Sequence, residues 1–383
     1  MQFRTRAIHS GQSADATTGA VVSPIHVAST FVQPGAGAAV EFDYARSGNP
    51  TRKAFETTLA SLESGVGALA FASGMAAIHC VTMLLETGDH IVAGADIYGG
   101  TYRLLHKIIQ RGGISAALVD STDVANIEAA ITPRTKLLWI ESPGNPLMSI
   151  TDIAACADLA RRRGVLLGVD NTLASPALTR PLELGADIAM HSATKYIGGH
   201  SDVLGGAIVV RDRALFDRLY FIQNATGAVM GPFDSFLCSR GLKTLELRVR
   251  EQSATALRMA EWLSAHPRVS RVHYPGMPEH IGYDIARRQM LGGFGGMLSF
   301  EVVGGFEPAK RLVESTHIIQ LAVSLGAVES LIEQPASMSH ASYDADARHR
   351  TGISDGLVRL SVGLEAFEDL RDDLDQALRA AAP

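Results

Sequence analysis

Only six lysines occur among the 383 residues. One of them, Lys195, lies in the run Asp187-Ile-Ala-Met-His-Ser-Ala-Thr-Lys-Tyr-Ile-Gly-Gly-His-Ser. A short apolar stretch there ends in Ser192-x-Thr194-Lys195 and is followed by two glycines. Hydroxyls beside a lysine at a strand end suit an anionic phosphate next to a nucleophilic amine. A lysine withdrawn from water at such a place loses its charge readily and can form a Schiff base with a carbonyl. Most lone lysines are solvated loop residues; the flanking hydroxyls and glycines set this one apart. Upstream, Leu166-Leu-Gly-Val-Asp170 reads as an apolar strand that delivers a carboxylate at its C-terminal end. In open α/β sheets ligands bind beyond those ends. A buried carboxylate requires a partner, and a protonated pyridine nitrogen is one.

Two further junctions point to the same edge. Ala68-Leu-Ala-Phe-Ala-Ser73-Gly74-Met75 turns from strand into helix. There a glycine permits close backbone approach, and a helix N-terminus offers free N–H groups to a phosphate. Tyr98-Gly-Gly-Thr-Tyr-Arg103 places an aromatic ring at another strand–helix junction, able to lie flat on a planar ligand. Taken singly, Asp170 reads equally well as a loop or capping acid, and Tyr98 as a half-buried core residue. Together, a phosphate cradle, an aromatic platform, a carboxylate and a lone lysine describe a site for pyridoxal 5'-phosphate. A nicotinamide site needs G-x-G-x-x-G after the first strand. The candidate Gly65-Val-Gly67 precedes a strand and lacks the third glycine.

The elements that must position these residues follow from the apolar pattern. Residues 1–45 are rich in Gly, Ser, Thr and Pro and read as an extended N-terminal arm. From 46 to 240, short apolar runs alternate with helical stretches. Strands are predicted at Ala68–Ala72, His90–Ala93, Ser115–Val119, Lys136–Ile140, Val165–Val169, Ile188–His191 and Ala207–Val210. Helices are predicted at Met75–Leu85, Thr101–Gln110, Val124–Ala130 and Ile153–Arg162. Such alternation predicts an α/β fold, a mostly parallel sheet with helices on both faces. A long helical pattern from about Pro232 to Ala265 leaves this domain. Residues 241–383 then read as a smaller α+β domain, with a strand at Met297–Val302 and helices near Pro308–Ser315 and Phe367–Ala380.

Composition narrows the class of function. Apolar residues make up 46% and charged residues 19%, so the chain can bury a core and is not a disordered one. Forty acidic against 34 basic residues leave a net charge of −6. With no basic run, a nucleic-acid partner is not expected. Neither a leader pattern nor a membrane-spanning apolar run is visible, so no membrane role is expected. The three cysteines, Cys80, Cys156 and Cys238, are far apart and form no CxxC pair. They are expected in the core of a cytoplasmic protein. No metal site is expected, and His9, His200 and His340 read as structural residues.

The sequence resembles the cysteine/methionine metabolism family of pyridoxal phosphate enzymes, which includes cystathionine γ-synthases, cystathionine γ- and β-lyases and methionine γ-lyases. The blocks that carry the resemblance are Tyr44-Ala-Arg46-Ser-Gly-Asn-Pro-Thr, Ala72-Ser-Gly-Met-Ala-Ala, Tyr98-Gly-Gly-Thr-Tyr-Arg, Val169-Asp-Asn-Thr, Arg180-Pro-Leu-Glu-Leu-Gly-Ala-Asp, His191-Ser-Ala-Thr-Lys-Tyr-Ile-Gly-Gly-His and Arg359-Leu-Ser-Val-Gly-Leu-Glu. They span about Thr5 to Leu378. The resemblance implies fold-type-I architecture and a homotetramer built as a dimer of dimers, with active sites shared between subunits. It implies that Lys195 carries the cofactor, Asp170 pairs with its ring nitrogen, and Tyr98 stacks on the ring. Gly74, Met75, Ser192 and Thr194 would hold the phosphate, joined by Tyr44 and Arg46 of a neighbouring subunit. Arg359, Asn145 and Ser324 would receive the substrate carboxylate.

The same resemblance bears on the reaction. Gly100 stands where methionine γ-lyases carry cysteine, which argues against that activity. Arg103 matches an arginine suited to the distal carboxylate of a cystathionine-sized substrate. Val323 stands where many cystathionine γ-lyases and γ-synthases have Glu, and with Ser339-His340 it is similar to broad-specificity bacterial carbon–sulfur lyases. The expected activity is a pyridoxal-phosphate-dependent carbon–sulfur lyase of trans-sulfuration. It would cleave cystathionine by γ-elimination to cysteine, 2-oxobutyrate and ammonia, and would take homocysteine or cysteine as further substrates. The alternatives are β-elimination and γ-replacement with a homoserine ester, and after them methionine γ-lyase chemistry. A catalytically inert protein of the same fold would not be expected to keep Lys195, Asp170 and Arg359 together.

Overall fold

The computed structural model of the chain describes residues 1–339 and 352–381; His340 lies outside the described residues. A first helix, α1 (Phe3–His9), precedes the irregular segment up to α2 (Pro50–Glu63). The arm is therefore not wholly extended: Ala7 of α1 is buried against Phe55 and Leu59 of α2. Asn49 caps α2 by accepting the Thr51 and Arg52 amides, and Pro50 occupies its first turn. Both are favourable at a helix start, because the first amides have no partner within the helix.

Seven strands make the larger sheet: β1 (Gly67–Phe71), β2 (His90–Gly94), β3 (Ser115–Val119), β4 (Thr135–Glu141), β5 (Leu166–Asp170), β6 (Ile188–Ser192) and β7 (Gly206–Val210). All seven fall on the predicted apolar runs. Their order is β1-β7-β6-β5-β4-β2-β3. β3, β2, β4, β5 and β6 run parallel, whereas β7 is antiparallel to both its neighbours. Neighbouring residues along a strand face opposite sides, and here both sides are covered. On β4, Leu137 and Trp139 pack into one cluster with Ile78 and Val81, while Leu138 and Ile140 pack into another with Ile153, Cys156 and Leu159.

The covering helices are α3 (Gly74–Thr82), α4 (Gly99–Arg103), α5 (Val124–Ala130), α6 (Ile153–Arg163), the single turn α7 (Ser175–Leu178) and α8 (Arg213–Thr226). The helix expected over Thr101–Gln110 is α4 continued by a wider π turn, Leu104–Ile108, and a tight 3-10 turn, Ile109–Gly112. The long pattern from Pro232 is two helices, α9 (Pro232–Leu242) and α10 (Leu245–Ser264). Close packing accompanies the break. A Cβ on Gly241 would lie 2.1 Å from the Ile197 carbonyl oxygen, so α9 ends jammed against the backbone that follows Lys195. Arg248 of α10 then donates to the carbonyls of Gly241 and Tyr196 at 2.8 and 2.9 Å.

A second sheet of five strands has the order β10-β11-β12-β9-β8, formed by β8 (Val269–His273), β9 (Met297–Val302), β10 (Gln320–Leu321), β11 (Leu331–Glu333) and β12 (Leu357–Ser361). Helices α11 (Tyr283–Gln289), α12 (Phe306–Glu314) and α13 (Phe367–Ala380) accompany it. Its core joins Phe300, Val358 and Leu360 to Leu312, Leu370 and Leu374, and Met259 and Leu263 of α10 enter the same cluster.

Candidate active site

The carboxyl edge of the larger sheet opens into a cavity of about 380 Å3 whose walls include Ser73, Gly74, Met75, Tyr98, Arg103, Glu141, Asn145, Asp170, Ser192, Thr194, Lys195, Ser324 and Arg359. Hollows of about 470 and 780 Å3 occur elsewhere, but neither gathers Lys195 or the strand-end carboxylates. Volume alone does not mark the site. The chemistry does.

Lys195 follows β6, and its Nζ donates to Ser324 Oγ at 2.6 Å. Burial lowers its pKa to about 8, helped by the charge of Arg359 and opposed by Glu333. A fair share of this amine is thus neutral near pH 8. Ser324 itself has φ +102, a left-handed backbone that a side chain rarely adopts. That conformation turns its hydroxyl to Lys195 and its carbonyl to Arg359 Nη2, 2.8 Å away. Backbone strain of this kind persists only where surrounding contacts over-determine it.

Asp170 ends β5 and is buried. Its Oδ1 accepts the Thr172 amide at 3.0 Å and the Thr172 hydroxyl at 2.5 Å. Burial raises its pKa, against those two hydrogen bonds. A cationic ring nitrogen would relieve that cost.

One end of the cavity is built by α3 and the end of β6. Ser73 caps α3 by accepting the Ala76 amide, leaving the Gly74 and Met75 amides without a partner among the described residues. A Cβ on Gly74 would sit 3.1 Å from Ser192 Cβ and 3.2 Å from Ser192 Oγ, so glycine is what lets the helix start approach β6. Thr194 also lines the cavity, although its hydroxyl is engaged with Gly205, accepting that amide at 3.0 Å and donating to that carbonyl at 3.2 Å.

On the opposite wall stands Arg359 of β12, buried. Its Nη1 lies 3.0 Å from Asn145 Oδ1 and 3.0 Å from Glu333 Oε1, and its Nε has no partner. Tyr98 is about half exposed at the mouth. A Cβ on Gly100 would meet the Tyr98 ring at 2.4 Å and the Met75 sulfur at 2.7 Å, so the ring packs directly over that glycine. Arg103, Leu204 and Val323 form the exposed rim.

Two predicted residues are not brought in. Tyr44 and Arg46 line none of this cavity; they are exposed on the segment before α2, with the Arg46 guanidinium 5.5 Å from the Tyr44 ring centre. Conversely, sequence reasoning missed Glu141 and Glu333. Glu141 is the strand-end acid of Trp139-Ile-Glu141-Ser-Pro and carried the same signal as Asp170. Glu333 had none: its importance comes from the register of β11 and β12, which sets Glu333 opposite Arg359. The three cysteines are free and buried, and no group of metal-holding side chains occurs among the described residues. No helix among them is long and apolar enough to cross a membrane.

The residues fit pyridoxal phosphate on structural grounds: a glycine-dependent phosphate cradle, a buried acid short of a counter-charge, an amine of lowered pKa and an arginine with an unused donor. A mixed sheet of this topology bearing such an edge defines a pyridoxal-phosphate-dependent enzyme of fold type I. Residues 4–379 match the model of the Cys/Met metabolism PLP-dependent enzyme family, and the chain belongs to that family. It is 49% identical over 376 residues to a Coxiella burnetii protein named cystathionine beta-lyase, covering 98% of this chain and 97% of that one. It is 52% identical over 376 residues to cystathionine gamma-synthase of Mycobacterium bovis, covering 98% and 96%. Among solved structures, cystathionine gamma-lyase from Lactobacillus plantarum complexed with L-serine superposes with a TM-score of 0.97 at 48% identity, covering 100% of this chain and 99% of that one. Three reaction names at nearly equal identity place the protein among the carbon–sulfur enzymes of trans-sulfuration and leave the choice between them to the site.

Proposed function

We propose that the protein cleaves cystathionine by γ-elimination to cysteine, 2-oxobutyrate and ammonia, with homocysteine or cysteine as further substrates. The observation that carries this reading is the gathering of Lys195, an amine of lowered pKa, with Asp170 and the Arg359–Asn145 pair in one cavity. When bound, pyridoxal phosphate supplies an electron sink for charge developing at the substrate carbons. Gly74, Met75, Ser192 and Thr194 would hold its phosphate, Tyr98 would cover its ring, and Asp170 would keep the ring nitrogen cationic. Arg359 takes the substrate α-carboxylate through its planar fork, with Asn145 and Ser324 fixing the guanidinium. Lys195 Nζ would remove the α-proton and return a proton further along the substrate chain, a task suited to an amine of lowered pKa. Ser324 Oγ, 2.6 Å away, steadies it. Tyr98 can pass a proton at the substrate amine or the leaving sulfur.

At the rim, Arg103 offers a charge to a distal carboxylate, while Val323 and Leu204 offer none to a distal ammonium. That rim favours a lyase of broad range over one strict for cystathionine. β-Elimination is the next reading and γ-replacement the one after. A side chain at Gly100 would require the Tyr98 ring and the Met75 side chain to shift, which supports setting methionine γ-lyase last.

The division into an arm (1–45), a cofactor domain (46–240) and a C-terminal domain (241–383) with a linking helix is part of the same proposal. So is a homotetramer of catalytic dimers. Tyr44 and Arg46, outside their own cavity, support a site completed by a second copy. The exposed apolar residues of the arm, Val21, Val27 and Val32, support the same assembly. Three unpaired thiols support a cytoplasmic location.

Supplying cystathionine to the purified, cofactor-loaded protein and identifying the keto acid tests the reading. 2-Oxobutyrate is expected. Pyruvate would assign β-elimination, and turnover only with a homoserine ester plus cysteine would assign a synthase. A Lys195→Ala protein that keeps full turnover would remove the site assignment itself.

A further inference from the structure

Glu141 lines the cavity but has no part in the chemistry above. It ends β4 directly opposite Asp170 in the parallel register of β4 and β5, so the two carboxylates leave the sheet side by side. Its Oε2 accepts the backbone N–H of Tyr98 at 2.9 Å. Tyr98 opens α4 and its own side chain provides no cap there. The bond to Glu141 therefore ties the start of the ring-covering loop to the sheet.

The charges around Glu141 decide its state. Facing it are Asp170 on β5, Asp96 beyond the end of β2, and Arg359 on β12. Only Arg359 is a cation, and it is already paired with Glu333 at 3.0 Å. Asp96 hydrogen-bonds Ser149, and burial raises its pKa to about 6. Two adjacent buried carboxylates cannot both ionise without a counter-charge, so one retains a proton. Asp170 accepts two hydrogen bonds from Thr172, which favour its charged form, whereas Glu141 accepts one, from Tyr98. The proton belongs on Glu141. Burial and Asp170 push its pKa well up, in agreement with that assignment.

We propose that Glu141 is a positioning residue that, while uncharged, holds the Tyr98 backbone and so fixes the aromatic platform relative to Asp170, leaving Asp170 the one anion facing the ring nitrogen. The inference rests on Tyr98 and Asp170 holding the cofactor ring. It accounts for the missed strand-end acid without giving it a step in the reaction.

The test compares Glu141→Leu, which removes the acceptor, with Glu141→Gln, which keeps an acceptor and carries no charge. Four readouts apply: amide exchange of the Tyr98 segment in the cofactor-free protein, the dissociation constant for pyridoxal phosphate, the pH dependence of the visible absorbance, and the split of any loss between kcat and KM. Glu141→Leu should exchange about tenfold faster at Tyr98 and bind the cofactor about tenfold more weakly, as expected when a buried donor loses its acceptor. Glu141→Gln should recover most of both losses and titrate at the same pH as the unaltered protein. If Gln is as impaired as Leu, or shifts the pH dependence of the absorbance, Glu141 acts as an anion and the proposal is overturned. Unchanged exchange and binding in Glu141→Leu also overturn it. Should the Leu protein fail to fold, the pH dependence of the Gln protein decides alone. An unaltered protein that develops no visible absorbance with pyridoxal phosphate would bring down the site assignment instead, a distinguishable result.

Discussion

Replacing Arg359 by lysine keeps a positive charge on β12 and removes the planar fork. In the folded protein Nη1 lies 3.0 Å from Asn145 Oδ1 and 3.0 Å from Glu333 Oε1, Nη2 is 2.8 Å from the Ser324 carbonyl, and Nε is unused. Three protein partners thus engage three of the five guanidinium N–H donors. An ammonium on a shorter, non-planar head has three donors and cannot reach all three partners and a carboxylate together. The loss amounts to about one charge-assisted hydrogen bond to the substrate, roughly 1.5–3 kcal/mol. At about 1.4 kcal/mol per factor of ten, kcat/KM should fall about 10- to 150-fold. The substrate carboxylate keeps its charge throughout the reaction, so most of the fall should appear in KM. Because Glu333 keeps a cationic neighbour, the variant avoids the penalty of about 3–5 kcal/mol for orphaning a buried charge. Its thermal midpoint should drop by only a few degrees. Steady-state kinetics with cystathionine and a thermal melt check both parts. A kcat/KM within twofold of the unaltered protein, or a loss confined to kcat, would refute the role given to Arg359.

Other expectations concern the amine, the assembly and the thiols. The pKa of Lys195 is lowered from 10.5 to about 8, first by burial and then by Arg359. The rate at which cofactor-free protein captures pyridoxal phosphate should rise about tenfold per pH unit below 8 and level off above it, because the neutral amine is the reactive form; a rise continuing towards 10.5 would contradict the desolvated site. If Tyr44 and Arg46 serve a second copy, mixing inactive Arg46→Ala and Lys195→Ala proteins after subunit exchange should restore up to about a quarter of full activity, since half the dimers then own one complete site. No recovery would place Arg46 with its own chain. Burial pushes the thiols of Cys80 and Cys156 up to about 12 and that of Cys238 up as well, so a thiol reagent should label none of the three until the protein is denatured. Rapid labelling of the native protein would show that one of them is reached from solvent.

The larger sheet was legible because its physics is local. A strand buried on both faces must be a short apolar run, and seven such runs between helical patterns leave few other architectures. The helix boundaries were less legible. The pattern from Pro232 to Ala265 has the apolar spacing of one helix, but the helix is interrupted at Lys243–Thr244, just after Gly241 packs against the Ile197 carbonyl, and nothing local to Gly241 announces a neighbour 44 positions earlier. Likewise α1 is too short to stand out by periodicity; the burial of Ala7 against α2 is what gives it a core contact.

The site divides in the same way. Lys195, Asp170, Gly74 and Tyr98 could be read from the chain because each ends a recognisable strand or opens a recognisable helix, and the carboxyl edge of a parallel sheet brings such ends together. Residue type and local position were enough to predict the cofactor. Only tertiary structure decided the rest. It set Glu333 against Arg359 through strand register, twisted Ser324 so that one residue serves both Lys195 and Arg359, stood Glu141 beside Asp170, and kept Tyr44 and Arg46 out of their own cavity. The physical reason is range. Strand ends are specified by a handful of neighbouring residues, whereas charge pairing, backbone strain and a lowered pKa depend on which distant segments exclude water from one another.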